Sequence, residues 1–539
     1  MKQTKNFLLM AAMLLCSISV SAEAVQIDGI WYNLVTKAKQ AEVTGTKYTG
    51  SVTIPSTVTY DNVEYSVTSI GEYVFYNCSS LTAITIPGSI TSIGDEAFYG
   101  CSGLTSITIL DGVTSIGTSA FRNCSSLTSI TIPESVTSIG ERAFYGCKSL
   151  TSISIPESMT SIGESAFYGC SSLTSIIIPE SVTSIGPSAF DGCSGLASVT
   201  IPEGVTEIGY RAFRDCSSLT SITIPESVTN IGTSAFYGCK SLTSVHISSI
   251  EAWCNIAFVG FESNPFSYAH DLYLKGELVT DLMIPEGVTS IREYAFHNYC
   301  NLISITIPES VTEIGNCAFH SCSSLTSINI SENSQLTIGK GAFHSCSSLT
   351  SITIPEGVTS IGAYAFYNCK SLTSIIIPEG VTNIHYDTFY GCKSLTSITI
   401  PEGVTTIGSN AFYGCKNLAS IVLPKSIRYV SGEAFANCPE LLNVYCNAES
   451  VPSTEADAFD GSYPEYATLY VPASAIENYK TTAPWSSFGK IAAIETSGIE
   501  NADADAAYAS PVIYDLSGRR MTHPEKGIYI INGCKVVIK

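Results

Sequence analysis

The chain has 539 residues, of which 45% are hydrophobic and only 14% are charged. Its formal net charge of −21 argues against nucleic-acid binding, because that function needs a basic surface to displace counterions from phosphates. The same acidity argues against attachment to anionic membranes through basic clusters. A chain of this length would ordinarily form several domains, but an internal repeat dominates it and overrides that expectation.

Residues 1–22 are predicted to be an export signal. Lys2 and Lys5 form a positive n-region, residues 7–15 are apolar, and small residues precede a cleavage site after Ala22. Lipidation of Cys16 is the alternative, which is disfavoured because Leu15 stands where a small residue is expected. No later segment is apolar for long enough to span a membrane, so we expect a secreted or outer-surface protein without a transmembrane segment.

Residues 23–65 lack the repeat and are predicted to cap its N-terminal end. Short strands are expected at residues 27–35 and 47–54, separated by glycine turns. A cap is needed because the first coil of a stacked array would otherwise expose an open core edge.

Residues 66–445 repeat one unit with a period of 23, which is clearest in residues 127–149 and 150–172. A fixed period in this range predicts a solenoid, in which each coil buries its apolar edge against its neighbours. Within a copy, the spacing of large aliphatic residues is typical of a leucine-rich repeat strand, and Pro133 ends that strand because it cannot donate to the ladder. We therefore predict a mainly β leucine-rich repeat solenoid of about 15 coils. The coils are marked by phenylalanines at positions 75, 98, 121, 144, 167, 190, 213, 236, 296, 319, 343, 366, 389, 412 and 435.

Most of the 20 cysteines occupy one position of the repeat. Cysteines in an exported protein usually form disulfides, but identical positions in stacked coils have parallel side-chain vectors that give a poor disulfide torsion. A buried ladder of free thiols is the favoured interpretation. The cysteines outside this register remain the candidates for pairing, namely Cys254, Cys300, Cys317, Cys446 and Cys534.

The array is interrupted at residues 248–280. Phe236 and Phe296 lie 60 residues apart, which is two periods and 14 further residues. We interpret this stretch as one intact coil that carries a looped-out, aromatic-rich insertion. A smaller irregularity at residues 331–336 adds one residue to a coil. Such departures from the repeat are where a specific function is expected.

The C-terminal part divides into three predicted segments. Residues 446–495, with a strand and a short helix, form a C-terminal cap. Residues 496–510 are small, polar and acidic, which is typical of a flexible linker. Residues 511–539 contain three strand-like runs with glycine turns and are predicted to form a separate small β module.

The unit I-P-x-x-V-x-x-I-G-x-x-A-F-x-x-C, present for example in residues 132–147, resembles the leucine-rich repeats of BspA-like bacterial surface proteins. The resemblance covers roughly residues 60–445, and the insertion and residues 467–480 are also similar to features of that family. It implies an outer-surface adhesin that binds host extracellular-matrix proteins or other bacteria. Residues 514–539 are similar to C-terminal modules that anaerobic bacteria use for export or surface attachment.

Enzymatic motifs are absent from the sequence. It contains no G-x-S-x-G, no phosphate-binding glycine loop before a helix and no H-E-x-x-H. We therefore predict a protein that is not an enzyme and that has no cofactor.

His297, His320 and His344 each follow the core phenylalanine in three successive coils, so they are expected to stack about 5 Å apart. Such a column could bind Zn²⁺ if a fourth ligand were available. The favoured interpretation is that these histidines replace the tyrosine of other coils and face water without a metal.

Tyrosines hold the same position in other coils and are expected to form an aromatic stripe. This stripe is either a binding surface, because tyrosine supplies rigid amphipathic contact area, or a set of rings that tighten the packing between coils. The candidate binding residues are Tyr99, Tyr145, Tyr168, Tyr367, Tyr390 and Tyr413, together with Trp253 of the insertion.

Two further columns are predicted on the surface. Serines and threonines such as Ser129 and Thr131 face solvent along the strands, either as a β-compatible polar coat or as a hydrogen-bonding surface. Glutamates that follow the proline, such as Glu134, form a like-charged column that discourages self-association or binds Ca²⁺ weakly. The predicted function is multivalent adhesion to a protein partner, with a structural spacer or a carbohydrate-binding module as alternatives.

Overall fold

The computed structural model describes residues 24–332 and 334–494, and the backbone of four strands between 513 and 538. The chain is mainly β, with 6% helix, and forms a solenoid of about 20 turns with a period of about 23 residues. The predicted fold is therefore confirmed. The solenoid has more turns than the fifteen phenylalanines indicate, because strands of both end regions and of the interruption stack on the array.

One side of the solenoid, here called the strand face, consists of parallel strands stacked in register. Ser129 lies opposite Ser106 in the preceding coil and Ser152 in the following one. These strands form three sheets. At the end of the first sheet, the short strand Glu277–Leu278 pairs in antiparallel fashion with Asp271–Leu274. The stacked strands are Gly50–Thr53, Leu81–Ile86, Ser106–Ile109, Ser129–Thr131, Ser152–Ser154, Ser175–Ile177, Ser198–Thr200, Ser221–Thr223, Ser244–Ile247, Asp271–Leu274, Asp281–Met283, Ser304–Ile307, Ser327–Ile330, Ser351–Thr353, Ser374–Ile376, Ser397–Thr399, Ser420–Leu423, Asn443–Cys446, Thr468–Val471 and Lys490–Ala493.

A second set of parallel strands follows the proline corner of each coil. Every strand of this set except the first contains two residues. The second of them, usually isoleucine, points toward the core. These strands are Val63–Ile70, Ser92–Ile93, Ser115–Ile116, Ser138–Ile139, Ser161–Ile162, Ser184–Ile185, Glu207–Ile208, Asn230–Ile231, Ala257–Phe258, Ser290–Ile291, Glu313–Ile314, Thr337–Ile338, Ser360–Ile361, Asn383–Ile384, Thr406–Ile407, Tyr429–Val430 and Ser453–Thr454.

The third side, here called the turn face, consists of tight turns that hold the core phenylalanines. The backbone N–H of Phe98 donates to the carbonyl of Ala120 in the next coil at 2.8 Å, and this contact recurs along the array. Each turn contains residues at positive φ, such as Ser119 at 55° and Asn123 at 60°. Asparagine adopts left-handed backbone readily, whereas serine does not. The positive φ of Ser119 is therefore imposed by tertiary packing.

The core consists of phenylalanine rings stacked one per coil. Neighbouring rings are 4.7–5.7 Å apart and nearly parallel, in one column from Phe75 to Phe236 and a second from Phe296 to Phe459. Phe459 follows Phe435 after 24 residues and therefore extends the array into the predicted C-terminal cap. The interruption at residues 248–280 separates the two columns.

The predicted ladder of buried thiols is present, and each thiol has a specific partner. Cys124 Sγ lies 3.2 Å from the carbonyl oxygen of Phe98 in the preceding coil, and Cys193 Sγ lies 3.1 Å from that of Phe167. Burial raises the pKa of these thiols, so they remain protonated donors. The described cysteine side chains form no disulfide, and those outside the register, Cys254, Cys300, Cys317 and Cys446, are also free. Cys16 and the side chain of Cys534 lie outside the described residues.

In most coils, a glycine at the second-strand corner allows close stacking of coils. A Cβ on Gly209 would lie 2.7 Å from the backbone of Gly186 and 2.8 Å from that of Pro187. At His385, which replaces this glycine, the stacking of short strands is broken between Ser360–Ile361 and Asn383–Ile384. The turn face stays continuous across this step, because the backbone N–H of Phe366 donates to the carbonyl of Thr388 at 2.9 Å.

The N-terminal region begins with three antiparallel strands, Ala24–Ile27, Ile30–Val35 and Gln40–Thr44. The third strand pairs in parallel with Val63–Ile70, and Thr57–Tyr60 pairs with that same strand in antiparallel fashion. The antiparallel strands thus cover the first turn of the solenoid, in the place where the sequence predicts a cap.

The interruption is more ordered than the predicted looped-out segment. Helix α1 (Ile250–Cys254) leads to Ala257–Phe258, which stacks on the short strands, and Asp271–Leu274 stacks on the strand face. Two 3₁₀ helices, Phe261–Ser263 and Pro265–Ser267, connect them. The stretch is thus one enlarged coil followed by a hairpin to Glu277–Leu278.

The C-terminal end contains helix α2 (Ile476–Thr481) and 3₁₀ helices Pro464–Tyr466, Ala473–Ala475 and Trp485–Ser487. The final strand Lys490–Ala493 stacks on Thr468–Val471. Beyond it, strands Ile513–Tyr514, Arg520–Met521, Gly527–Ile531 and Cys534–Ile538 form an antiparallel sheet. The predicted signal at residues 1–22 and linker at 496–510 lie outside the described residues. Among the described residues, no helix has the length and apolarity needed to span a bilayer.

Candidate binding surfaces

The strand face exposes every second side chain of its strands. Ile130 points into the core, whereas Ser129 and Thr131 are exposed, because successive residues of a strand face opposite sides. No hydrogen bond or ion pair engages either hydroxyl within the described part of the chain, so both remain available to solvent or to a partner. The array therefore presents a regular surface of hydroxyl groups.

One column of this face, here called the exposed file, contains the residues in register with Thr131. Three of its members are apolar and strongly exposed: Ile177 at 80%, Met283 at 74% and Ile376 at 69%. Two aromatic pairs also lie in it, since the rings of His246 and Tyr273 stack at 4.8 Å and those of Tyr445 and Tyr470 at 4.6 Å. The exposed file runs through Ser154, Ile177, Thr200, Thr223, His246 and Tyr273, then Met283, Thr306, Asn329, Thr353 and Ile376, and then Thr399, Val422, Tyr445 and Tyr470.

The predicted aromatic stripe lies on the turn face as stacked rings. Tyr145 and Tyr168 are 4.4 Å apart, and Tyr390 lies 4.5 Å from Tyr367 and 4.8 Å from Tyr413. Because neighbouring rings cover each other's faces, the stripe offers mainly ring edges and hydroxyls, and only a ring at the end of a run, such as Tyr168, has a face without a stacked ring. Its members are half-buried, which agrees with a packing role and leaves their edges accessible.

Charged residues occupy some coils of this stripe. The guanidinium of Arg122 lies 5.4 Å from the centre of the Tyr99 ring and 4.6 Å from that of Tyr145. It therefore bridges two tyrosines through cation–π contacts. Three coils after Arg122, burial raises the pKa of Asp191 to about 6, while Arg214 at 4.0 Å opposes that shift.

The three histidines occupy the same stripe and stack as predicted, with His320 4.8 Å from His297 and 4.2 Å from His344. They are half-buried and do not face water freely as the favoured interpretation expected. Face-to-face stacking does not direct the ring nitrogens at one point, and the described residues contain no group of three or more ligands arranged for a metal ion.

The Nδ1 atoms of His297 and His344 are buried without a hydrogen-bond partner in the described chain. Burial and the neighbouring His320 lower the pKa of each of these two histidines to about 4, and burial lowers that of His320. The surroundings of the column therefore favour the neutral form of the three imidazoles.

The histidine column is expected to make the fold acid-sensitive. Folded-state pKa values below the unfolded value of about 6.5 mean that the unfolded chain binds more protons, so stability falls as the pH drops from about 6.5 to 4. Replacing all three residues by tyrosine, as in other coils, should reduce the drop in Tm between pH 7 and pH 4.5 by about 5 °C. Circular-dichroism melts of both proteins measure this. Equal drops would show that the histidines do not contribute.

Trp253 requires a correction to its predicted place on a binding surface. The side chain is 1% exposed, its indole N–H donates to the carbonyl of Ala295 at 2.8 Å, and its ring contacts Phe258 and Phe266. Because the interruption forms its own coil, Trp253 fills the core where the phenylalanine column is broken.

The glutamate column has a structural role in part of the array. Glu134 Oε2 accepts the backbone N–H of Glu157 at 3.0 Å, and Glu379 and Glu402 accept the corresponding N–H groups of the next coil. These carboxylates cap corner amides that have no strand to pair with. Glutamates without such a bond remain open to external partners.

The profile of the BspA type leucine rich repeat region, six copies long, matches residues 52–173, 160–272, 271–375 and 336–465. The chain belongs to this family. Proteins of the BspA-like family are bacterial surface proteins, and leucine-rich repeat solenoids are generally protein-binding scaffolds without a catalytic role.

Several solved structures are similar to this BspA-type chain. A leucine-rich cell surface protein of Faecalibacterium prausnitzii is 32% identical, covers 70% of the chain and 95% of its own length, and has a TM-score of 0.39. A leucine-rich repeat protein of Bacteroides ovatus is 26% identical, with coverages of 83% and 99% and a TM-score of 0.40. The pneumococcal vaccine antigen PcpA is 20% identical, with coverages of 88% and 99% and a TM-score of 0.34. No curated protein sequence matches significantly.

Proposed function

We propose that this BspA-type protein is an adhesin of the outer cell surface, which binds host matrix proteins or other bacteria through many weak contacts along its solenoid. The observation that carries this proposal is the exposed file. Its three strongly exposed apolar side chains stand in separate coils on an otherwise hydroxyl-rich face. Large apolar side chains that stand exposed on a hydroxyl-rich face are available to fill pockets of a partner, as the anchors of protein interfaces do.

The regular stacking of coils supports a multivalent mechanism. Equivalent side chains recur at the strand spacing of about 4.8 Å, so about 20 turns place similar contacts over roughly 95 Å. A fibrous or repetitive partner would engage several of them at once, and its overall affinity would exceed that of any one contact.

The proposed function also requires that the chain is exported and attached to the cell surface. Cleavage near Ala22 would release the mature chain from its signal, and the four-stranded C-terminal sheet would serve as the export or attachment module. The solenoid would then project from the cell and present its strand face.

Binding of the purified chain to immobilised fibronectin, laminin and collagen, and to whole bacteria, tests this function. Wild-type protein is expected to bind at least one of these surfaces, and a variant with Ile177, Met283 and Ile376 changed to threonine should bind at least tenfold more weakly. Circular dichroism controls for folding. Binding only to a glycan array would favour the carbohydrate-binding alternative, and silence on every surface would favour a structural spacer.

A further inference from the structure

A trough of 770 Å³ lies beside the strand face in the coils that follow the interruption. Met283, Thr306 and Asn329 of the exposed file line it on one side, and Glu286 and Glu309 line it at the proline corner. It is an open groove on the surface and not an enclosed cavity, so it suits an extended segment better than a small molecule.

Two departures from the repeat flank this trough. Strand Asp281–Met283 begins a new sheet and pairs on one side only within the described chain, with Ser304–Ile307. At the other end lies Ser331, which lines the trough and is the first residue of the stretch 331–336 that adds one residue to its coil. These irregularities distinguish the trough from the corners of the regular coils.

The lining combines an exposed apolar side chain with unpaired negative charge. The side chain of Met283 is 74% exposed. Neither Glu286 nor Glu309 accepts a hydrogen bond or forms an ion pair in the described chain, unlike Glu134, whose carboxylate accepts a backbone N–H. The trough lining contains no lysine, arginine or histidine.

We propose that this trough binds a cationic polypeptide segment of the adhesion partner, in which a lysine or arginine lays its aliphatic stem on Met283 and directs its charge to Glu286 and Glu309. The inference rests on the proposed adhesive function and names its binding site. Glu286 and Glu309 belong to consecutive coils, whose equivalent backbone positions lie about 4.8 Å apart, so one cation can reach both carboxylates. A long cationic side chain matches both the apolar and the acidic parts of the lining.

The test uses the full chain and a fluorescein-labelled octapeptide of alternating leucine and lysine, with binding measured by fluorescence anisotropy. Wild-type protein is expected to bind one peptide per chain, more weakly at higher salt. Met283→Ser, and separately Glu286→Gln with Glu309→Gln, should each weaken binding about tenfold. An octapeptide of alternating leucine and glutamate should not bind.

The matched control is Glu134→Gln with Glu157→Gln, which removes the same charge from a regular corner. The glutamine oxygen at position 134 still accepts the N–H of residue 157, so this variant should fold and should keep wild-type affinity for the peptide. An equal loss of peptide affinity in the control would show that binding depends only on the overall charge of the protein. That result would overturn the proposal. So would the absence of peptide binding, or full affinity in the Met283→Ser variant.

The same trough variants separate this inference from the adhesive function. If they bind the matrix surfaces as tightly as the wild-type protein does, the trough is not the binding site for the partner. The adhesive function would still hold in that case. If the peptide binds as expected but no matrix or cell surface does, the trough is a cationic-peptide site and the adhesive function fails.

Discussion

Replacing Phe167 with alanine is expected to reduce the free energy of unfolding by about 3–5 kcal/mol, the usual range for removing a buried phenylalanine. The ring is 2% exposed and stacks between Phe144 at 5.6 Å and Phe190 at 5.4 Å. Coils on both sides form the resulting cavity wall, and they cannot collapse into it without breaking their backbone ladders. Thermal melts together with hydrogen exchange in residues 140–195 measure the effect.

Tyr168→Ala is the matched control for this change, because it removes an aromatic ring from the next residue. Tyr168 is half-buried and stacks on one neighbouring ring, Tyr145, so we expect a loss of only about 1 kcal/mol. Similar losses for both variants would contradict the conclusion that the phenylalanine column, and not the tyrosine stripe, supplies the stability of the core.

Gly209→Ala is expected to destabilise the protein by about 1–3 kcal/mol although it adds only one methyl group. The new Cβ would lie 2.7–2.9 Å from backbone atoms of residues 185–187, which belong to the neighbouring coil and cannot move separately. The coils must therefore separate at this corner. Melting temperature and the exchange rate of the Gly209 amide, which donates to the carbonyl of Ile185 at 2.8 Å, report the separation.

Gly163→Ala is the matched control at the same position of another coil. There the nearest atoms would be 3.9 Å from the added Cβ, and the short strands Ser138–Ile139 and Ser161–Ile162 are not paired. We expect this variant to be neutral or slightly stabilised, since alanine restricts the unfolded chain more than glycine does. A large loss at both positions would mean that the glycines matter for backbone conformation and not for space.

The repeat by itself predicts most of the fold. The period of 23, the buried phenylalanines and the shared register of the cysteines predict a solenoid with a thiol ladder, and the structure has both. Periodicity succeeds because each coil contacts only its neighbours, so the same side chain meets the same surroundings about 20 times.

The sequence locates the departures from the repeat but does not predict the structure that they adopt. The sequence predicts one intact coil with a looped-out insertion at residues 248–280, and the structure has one enlarged coil whose Trp253 lies in the core. Asp271–Leu274 and Asp281–Met283 carry no sequence signal that tells which of them continues the first sheet. Pairing partners at an interruption depend on the space left by both flanking coils, which a repeat pattern does not describe.

By itself, the sequence determined the period, the residues that face the core, the family and the positions of its irregular coils. Only the tertiary structure decided what those positions do. It showed that the tyrosine rings cover each other, that Met283 is exposed beside two unpaired glutamates, and that a corner glycine is needed for space. The physical reason is that period and polarity are properties of one coil, whereas exposure and close approach arise between coils.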